Sequence, residues 1–151
     1  MISNESLREL LSKKINENFT LYSNDRYIGV FTTKEYLYSL IKKLKVTEQL
    51  KFNQLIDITA IDYPSREQRF DLVYILLSLS LNKRILVKIT IEENMMVDSI
   101  TPLFKSANWY ERECYDLFGI KFVQHPDLRR IMMDYNFEGH PLRKDFPLTG
   151  H

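Results

Sequence analysis

Nine residues, RILVKITIE from Arg84 to Glu92, constrain the fold most tightly. Ile85, Val87, Ile89 and Ile91 alternate with Arg84, Lys88 and Thr90. β-Branched residues at every second position fit a pleated strand with one face buried and the other wet. Two apolar segments precede it. QLIDITAID (Gln54–Asp62) reads as a strand ending at the turn signal of Pro64 and Ser65, and RFDLVYILLSLS (Arg69–Ser80) as a longer, more buried one. The turn around Asn82 predicts that the last two strands form a hairpin.

Helical periodicity surrounds this β centre. Asn4 is positioned to cap a first helix whose Leu7, Leu10, Leu11 and Ile15 share a face. YIGVF (Tyr27–Phe31) reads as a short strand. Thr32, with Glu35 three residues on, forms a capping-box pattern before the apolar stripe of Tyr36, Leu37, Leu40, Ile41 and Leu44. Thr101–Pro102 reads as another helix start. Asn108, with Glu111 three residues later, predicts the cap of a helix that Gly119 ends. From Gly119 onward lie three of the five prolines, three of the four glycines and all three histidines. That texture predicts an extended tail with little regular structure beyond a turn of helix after Asp127. The expected fold is α+β: a two-layer domain over residues 1–118, its mixed, mainly antiparallel sheet covered by helices on one face, then an extended C-terminal docking segment over 119–151.

Composition narrows the function. The chain has 151 residues and a formal net charge of +1, so it carries no broad field of the kind nucleic-acid and membrane-surface binders use. Cys114 is its single cysteine, which excludes an internal disulfide and leaves an iron–sulfur cluster three thiolates short. No apolar run approaches the roughly 20 residues that span a bilayer. Glu5 and Glu9 near the N-terminus speak against a signal peptide or an acid-poor import presequence.

Chemistry concentrates in ERECYDLFG (Glu111–Gly119). At 100° per residue, Tyr110, Cys114, Leu117 and Phe118 share one helix face; Arg112 and Asp116 fall opposite, with Glu113 at their edge. The thiol therefore points among apolar residues and reads as structural rather than nucleophilic. Glu111, Glu113 and Asp116, joined by His125 and His140, offer an acid/base pair or a metal site, yet no tight ligand spacing such as H-x-x-x-H is present. Arg112 and Asp116 have the spacing of a helical ion pair. The doublets Arg129–Arg130 and Arg143–Lys144 are interleaved with Asp127, Asp134, Glu138 and Asp145, which reads as a salt-bridged docking surface rather than a phosphate or nucleic-acid site.

ERECYDLFGIKFVQHPDLRRIM (Glu111–Met132), followed by DYNFEGHPLRKDFPLTG (Asp134–Gly150), closely resembles the signature region of the 30 kDa subunit of respiratory complex I. IDYPSREQRFDLVYILLS (Ile61–Ser78) is similar too. Glu111, Arg112, Glu113, Asp116, Leu117 and Phe118 match the family's helix, and His125, Arg129 and Ile131 its downstream positions. GHPLRKDFP (Gly139–Pro147) looks like the mitochondrial and proteobacterial branch. Asn136 departs from the family's usual glycine, and relatives usually continue beyond the position of His151.

The resemblance implies a non-catalytic scaffolding and assembly subunit of the hydrophilic arm. It packs there against the subunit that resembles the hydrogenase large subunit, near the quinone-binding module. FMN, the iron–sulfur clusters and ubiquinone belong to neighbouring subunits, and this chain is expected to bind no cofactor, metal or nucleic acid and to have no membrane span of its own. The expected setting is the matrix side of the mitochondrial inner membrane, or the cytoplasmic face of a bacterial inner membrane. Glu111, Arg112, Glu113, Asp116, His125, Arg129, Arg130, Asp134, His140, Arg143, Lys144 and Asp145 are the expected interface residues. Reversing the charge of Arg143 is expected to impair assembly more than folding. The reading from another class is a free-standing metal-dependent hydrolase using Glu111, Glu113, Asp116 and His125, which requires these groups to converge in a pocket. A nucleic-acid-binding module would need both basic doublets on one uncovered face.

Overall fold

The computed structural model of the chain describes residues 2–23, 26–126, 139, 140, 142 and 143. Two compact units divide it: Met1–Asp57 with Val73–Ile89, and Ile58–Leu72 with Thr90–His151. The elements run α1 (Asn4–Lys14), β1 (Thr20–Ser23), β2 (Ile28–Phe31), α2 (Lys34–Val46), β3 (Gln54–Asp62), β4 (Phe70–Ser78), β5 (Lys83–Ile91), β6 (Met96–Asp98), α3 (Ala107–Phe118) and β7 (Lys121–Val123). Five strands form a mixed sheet in the order β1-β2-β5-β4-β3, so the fold is α+β. β1 and β2 are antiparallel, while β2 runs parallel to β5, with Val30 opposite Val87. The crossover between them carries α2, as parallel pairing requires.

The three central strands fall where their patterning places them. In β5, Ile85, Val87, Ile89 and Ile91 are buried and the residues between them are half-exposed. Only Leu79–Asn82 connect β4 to β5, and Asn82 takes φ 53°, the left-handed conformation asparagine tolerates in tight turns. A connection so short leaves antiparallel pairing as the available geometry. In the first unit Leu37, Leu40, Ile41 and Leu44 of α2 are fully buried, with Leu7, Leu11, Leu50 and Phe52. Each such side chain contributes ~1.5–3 kcal/mol of transfer free energy.

Several local expectations are corrected. Ser3, not Asn4, caps α1, its Oγ accepting from the Ser6 amide at 3.1 Å. Thr33 rather than Thr32 is the N-cap of α2, because Thr32 spends its hydroxyl on the Asn18 carbonyl at 2.6 Å. Tyr36 sits on the apolar stripe by spacing but is 38% exposed. β1 carries no strong pattern, its burial alternating only between exposed and half-buried, and was not foreseen. Thr101–Leu103 forms a turn rather than a helix start, with Leu103 and Phe104 amides both donating to the Ile100 carbonyl. Regular structure also continues past Gly119. β7 pairs in parallel with β6, Phe122 opposite Val97, and α3 supplies their crossover. The helical turn expected after Asp127 lies outside the described residues.

Among the described residues, no helix is long and apolar enough to cross a membrane.

Candidate functional site at the ends of α3

All of the following lies within the second unit. Near its start, α3 carries Glu111, which is fully buried and faces the β6–α3 connection. Ser99 Oγ lies 2.6 Å from its Oε1, and the Ile100 amide donates to its Oε2 at 2.8 Å. His125, just beyond β7, has its Nε2 3.0 Å from the Asn108 carbonyl and 3.9 Å from Glu111 Oε1. A carbonyl can only accept, so this ring nitrogen carries a proton. Burial pushes the Glu111 carboxyl up to about 7, against the hydrogen bonds from Ser99 and Ile100 that pull it down. Asn108 is therefore not the cap of a box with Glu111: it lies inside the helix, whose N-cap is Ser106, and Glu111 holds the preceding turn instead.

The other end of α3 leaves four backbone carbonyls without helical partners. Each is taken. The Gly119 amide donates to Tyr115 O at 2.8 Å, with Gly119 at φ 80°, ψ 14°. His140 Nδ1 lies 2.8 Å from Asp116 O, and the Leu142 amide donates to Leu117 O at 3.0 Å. Arg143 Nε donates to Phe118 O at 2.6 Å. The histidine and arginine of the GHPLR stretch thus close a helix terminus more than twenty residues upstream, and the arginine places positive charge at the negative end of the helix dipole.

Arg143 is anchored in turn. Its NH1 pairs with Glu93 at 2.9 Å and its guanidinium lies 5.2 Å from the Phe70 ring centroid. Glu93 is also 3.5 Å from Arg69, which grips Asp62 through two hydrogen bonds of 2.7 and 2.9 Å. Asp62 and Arg69 are both buried, and the Tyr63 amide donates to Arg69 O at 2.8 Å across the β3–β4 turn. Their hairpin spacing was the available signal for this pair. Nothing in the local pattern marked Ser99 or Glu93.

Expected site residues thus separate. Glu111 and His125 come together, as do His140 and Arg143. Asp116 is fully buried rather than on an open face opposite Cys114. Arg112 lies over the Trp109 ring, 6.0 Å from its centroid, and its buried Nε has no hydrogen-bond partner among the described residues. Glu113 accepts from Trp109 Nε1, and Trp109 is 51% exposed. Cys114 is 2% exposed and its Sγ lies 3.5 Å from the Ile58 carbonyl. Arg129, Arg130, Asp134, Lys144 and Asp145 lie outside the described residues. Among those described, no three His, Cys, Asp or Glu side chains converge in a way that would hold a metal ion. Glu111 has the raised carboxyl the hydrolase reading calls for, but Glu113 points to Trp109 and does not share its surroundings.

Fold and site together define an α+β protein in which Glu111 holds the turn before α3 and His140 and Arg143 close its end. The family model described as respiratory-chain NADH dehydrogenase, 30 Kd subunit, matches residues 30–151. The chain belongs to this family. It is 51% identical over 138 residues to a probable NADH-ubiquinone oxidoreductase 30.4 kDa subunit, mitochondrial, of Candida maltosa, covering 91% of this chain and 49% of that one. It is 45% identical over 154 residues to an NADH-quinone oxidoreductase subunit of Chelativorans sp. (strain BNC1), covering 97% and 76%. To NADH dehydrogenase (ubiquinone) iron-sulfur protein 3 of Arabidopsis thaliana it is 52% identical over 120 residues, covering 80% and 63%. The chain therefore spans about half the length of the first of these relatives and up to three-quarters of the others. A chain in the structure of the membrane-bound sulfane sulfur reductase, an archaeal respiratory membrane complex, shares the fold with TM-score 0.76 over 95% of this chain and 85% of that one, at 23% identity.

Proposed function

We propose that the chain is a non-catalytic structural and assembly subunit of the hydrophilic arm of a respiratory NADH:quinone oxidoreductase, supporting electron transfer from NADH to ubiquinone coupled to proton translocation. The observation that carries this is the family match over residues 30–151. The chemistry is consistent with it. Among the described residues of the signature, Glu111 is held by Ser99 and the Ile100 amide, and His140 and Arg143 meet the carbonyls that end α3, which suits a scaffold. A relative's name includes "iron-sulfur protein", yet the one cysteine of this chain is buried and cannot replace the four thiolates a cluster takes. FMN, the clusters and ubiquinone are accordingly assigned to neighbouring subunits.

The partner we infer is the subunit that resembles the hydrogenase large subunit. The exposed indole of Trp109, with the Arg112 guanidinium beside it, suits an anchor for such a contact, because aromatic and arginine side chains dominate interface energetics. Arg129, Arg130, Asp134, Lys144 and Asp145 are proposed to add charged contacts. The setting we infer is peripheral, on the matrix side of the mitochondrial inner membrane or the cytoplasmic side of a bacterial one.

The test is mild purification of the chain from its native source through an affinity tag. Expected are the other subunits of an NADH:quinone oxidoreductase, with the hydrogenase-like subunit the last to be lost as detergent and salt are raised. A chain that purifies alone, or with a stoichiometric metal or flavin of its own, would overturn the proposal.

A further inference from the structure

Between β6 and α3 lies a chain of oxygens that the proposed function does not use. Thr101 Oγ1, on a half-exposed residue, is 2.8 Å from Ser99 Oγ, which is 2.6 Å from Glu111 Oε1 on a fully buried one. The Thr101 amide donates to Ser99 Oγ at 3.1 Å, and the Ile100 amide to Glu111 Oε2 at 2.8 Å.

We propose that Thr101, Ser99 and Glu111 form a proton-binding site, a hydrogen-bonded path from the surface to a buried carboxyl that holds one proton without any heavy atom moving. With Glu111 ionised, Thr101 O–H donates to Ser99 Oγ and Ser99 O–H donates to Glu111 Oε1. With Glu111 protonated, both directions reverse: Oε1–H donates to Ser99 Oγ and Ser99 O–H to Thr101 Oγ1. Each hydroxyl keeps one proton in both states, and both backbone amides keep the same acceptors. Loading takes one proton from hydronium at Thr101 and passes one from each hydroxyl to the next oxygen, leaving water outside and a neutral acid within. A buried carboxyl that remains hydrogen-bonded in either form avoids the cost of an orphaned polar group.

Among the described residues, the charges around the site leave this exchange to the three oxygens. His125, the titratable group that faces Glu111 from beyond β7, stands 3.9 Å from Oε1 with its Nε2 proton committed to the Asn108 carbonyl. Asp98 on β6 and Lys121 on β7 are exposed. On α3 itself, Glu113 is bound to Trp109, Cys114 Sγ lies 3.5 Å from the Ile58 carbonyl, and Asp116 is buried. Burial accounts for a carboxyl poised near neutrality.

Infrared titration of the full chain, with isotopically labelled glutamate, reads the site directly. A protonated-carboxyl band should disappear with a midpoint near pH 7, more than two units above ordinary glutamates, and E111Q should remove it. Ser99→Ala keeps the carboxyl but deletes a donor to its ionised form, so the midpoint should rise. Thr101→Val leaves both groups in place and breaks the path, so exchange of the acid proton with solvent should slow by at least tenfold. A wild-type spectrum with no such band overturns the site, and a band that S99A leaves at the same midpoint overturns the chain. Unchanged exchange in T101V overturns the path. None of these readouts depends on which subunits the chain joins.

Discussion

Arg143 donates its Nε proton to the backbone carbonyl of Phe118 across 2.6 Å, joining residues twenty-five positions apart. The same guanidinium reaches Glu93, so one side chain caps a helix and completes an ion-pair network. The sequence alone presents Arg143 as a docking residue whose reversal impairs assembly more than folding. With these bonds in view, R143E sets a carboxylate against a helix C-terminus and Glu93, and destabilises the domain itself. Arg143→Met should lower unfolding free energy by about 1–3 kcal/mol, read by urea denaturation of the full chain. Arg143→Lys should recover only part of this, because an ammonium lacks the planar fork.

Gly119 should tolerate no side chain. Its φ of 80° disfavours any Cβ, and a Cβ there would stand 2.8 Å from His140 Cδ2 and 3.0 Å from Arg143 NH2. Gly119→Ala is expected to cost more than the ~1 kcal/mol of the backbone term alone, since it also displaces both capping side chains. Asn, which usually tolerates this conformation, should fail too. Equal stability of G119N and wild type in thermal unfolding would refute the clash.

Glu111 sets a pH dependence whose sign follows from its raised value. Below about pH 4.5 both folded and unfolded chains hold the proton, and Glu111 adds no penalty. As pH rises toward 7 the unfolded chain releases its proton first while the folded one keeps it, so stability falls; above about 7 the loss is complete. The loss is on the order of 1–3 kcal/mol. E111Q should flatten this segment of the stability profile and should match or exceed wild type above neutrality.

Asp62 and Arg69 form a buried two-bond pair, and removing one partner takes both of these bonds from the other. Asp62→Asn and Arg69→Met should each destabilise by about 3–5 kcal/mol, while a double replacement by apolar residues should cost much less than their sum. Additive costs in a double-mutant cycle would mean that the two groups act independently.

Cys114 should be inert in the folded chain. At 2% exposure it should resist thiol reagents until denaturant is added, and Cys114→Ala should leave assembly into the parent complex intact. Fast labelling of native protein would remove the structural reading of this residue.

Periodicity legible in the residues determined a good deal. β3 matches its expected limits, β4 and β5 fall within a residue or two of theirs, and Gly119 ends α3 as a left-handed glycine should. These features follow from side-chain spacing and local backbone preference, which adjacent residues settle among themselves. The caps of α1 and α2 lie one residue from their expected positions, because distant partners hold the expected side chains: Lys83 Nζ donates to Asn4 Oδ1 and the Thr32 hydroxyl donates to the Asn18 carbonyl. The contacts of Glu111, His140 and Arg143 were decided by tertiary structure alone. A helical wheel placed Asp116 on an open face, and nothing local predicts that the GHPLR stretch returns to cover that end of the helix. Capping spacing offered Glu111 to Asn108, whereas folding gave it to Ser99 and Ile100. Long-range hydrogen bonds depend on where the chain returns in space, and that is a property of the whole fold rather than of any nine residues.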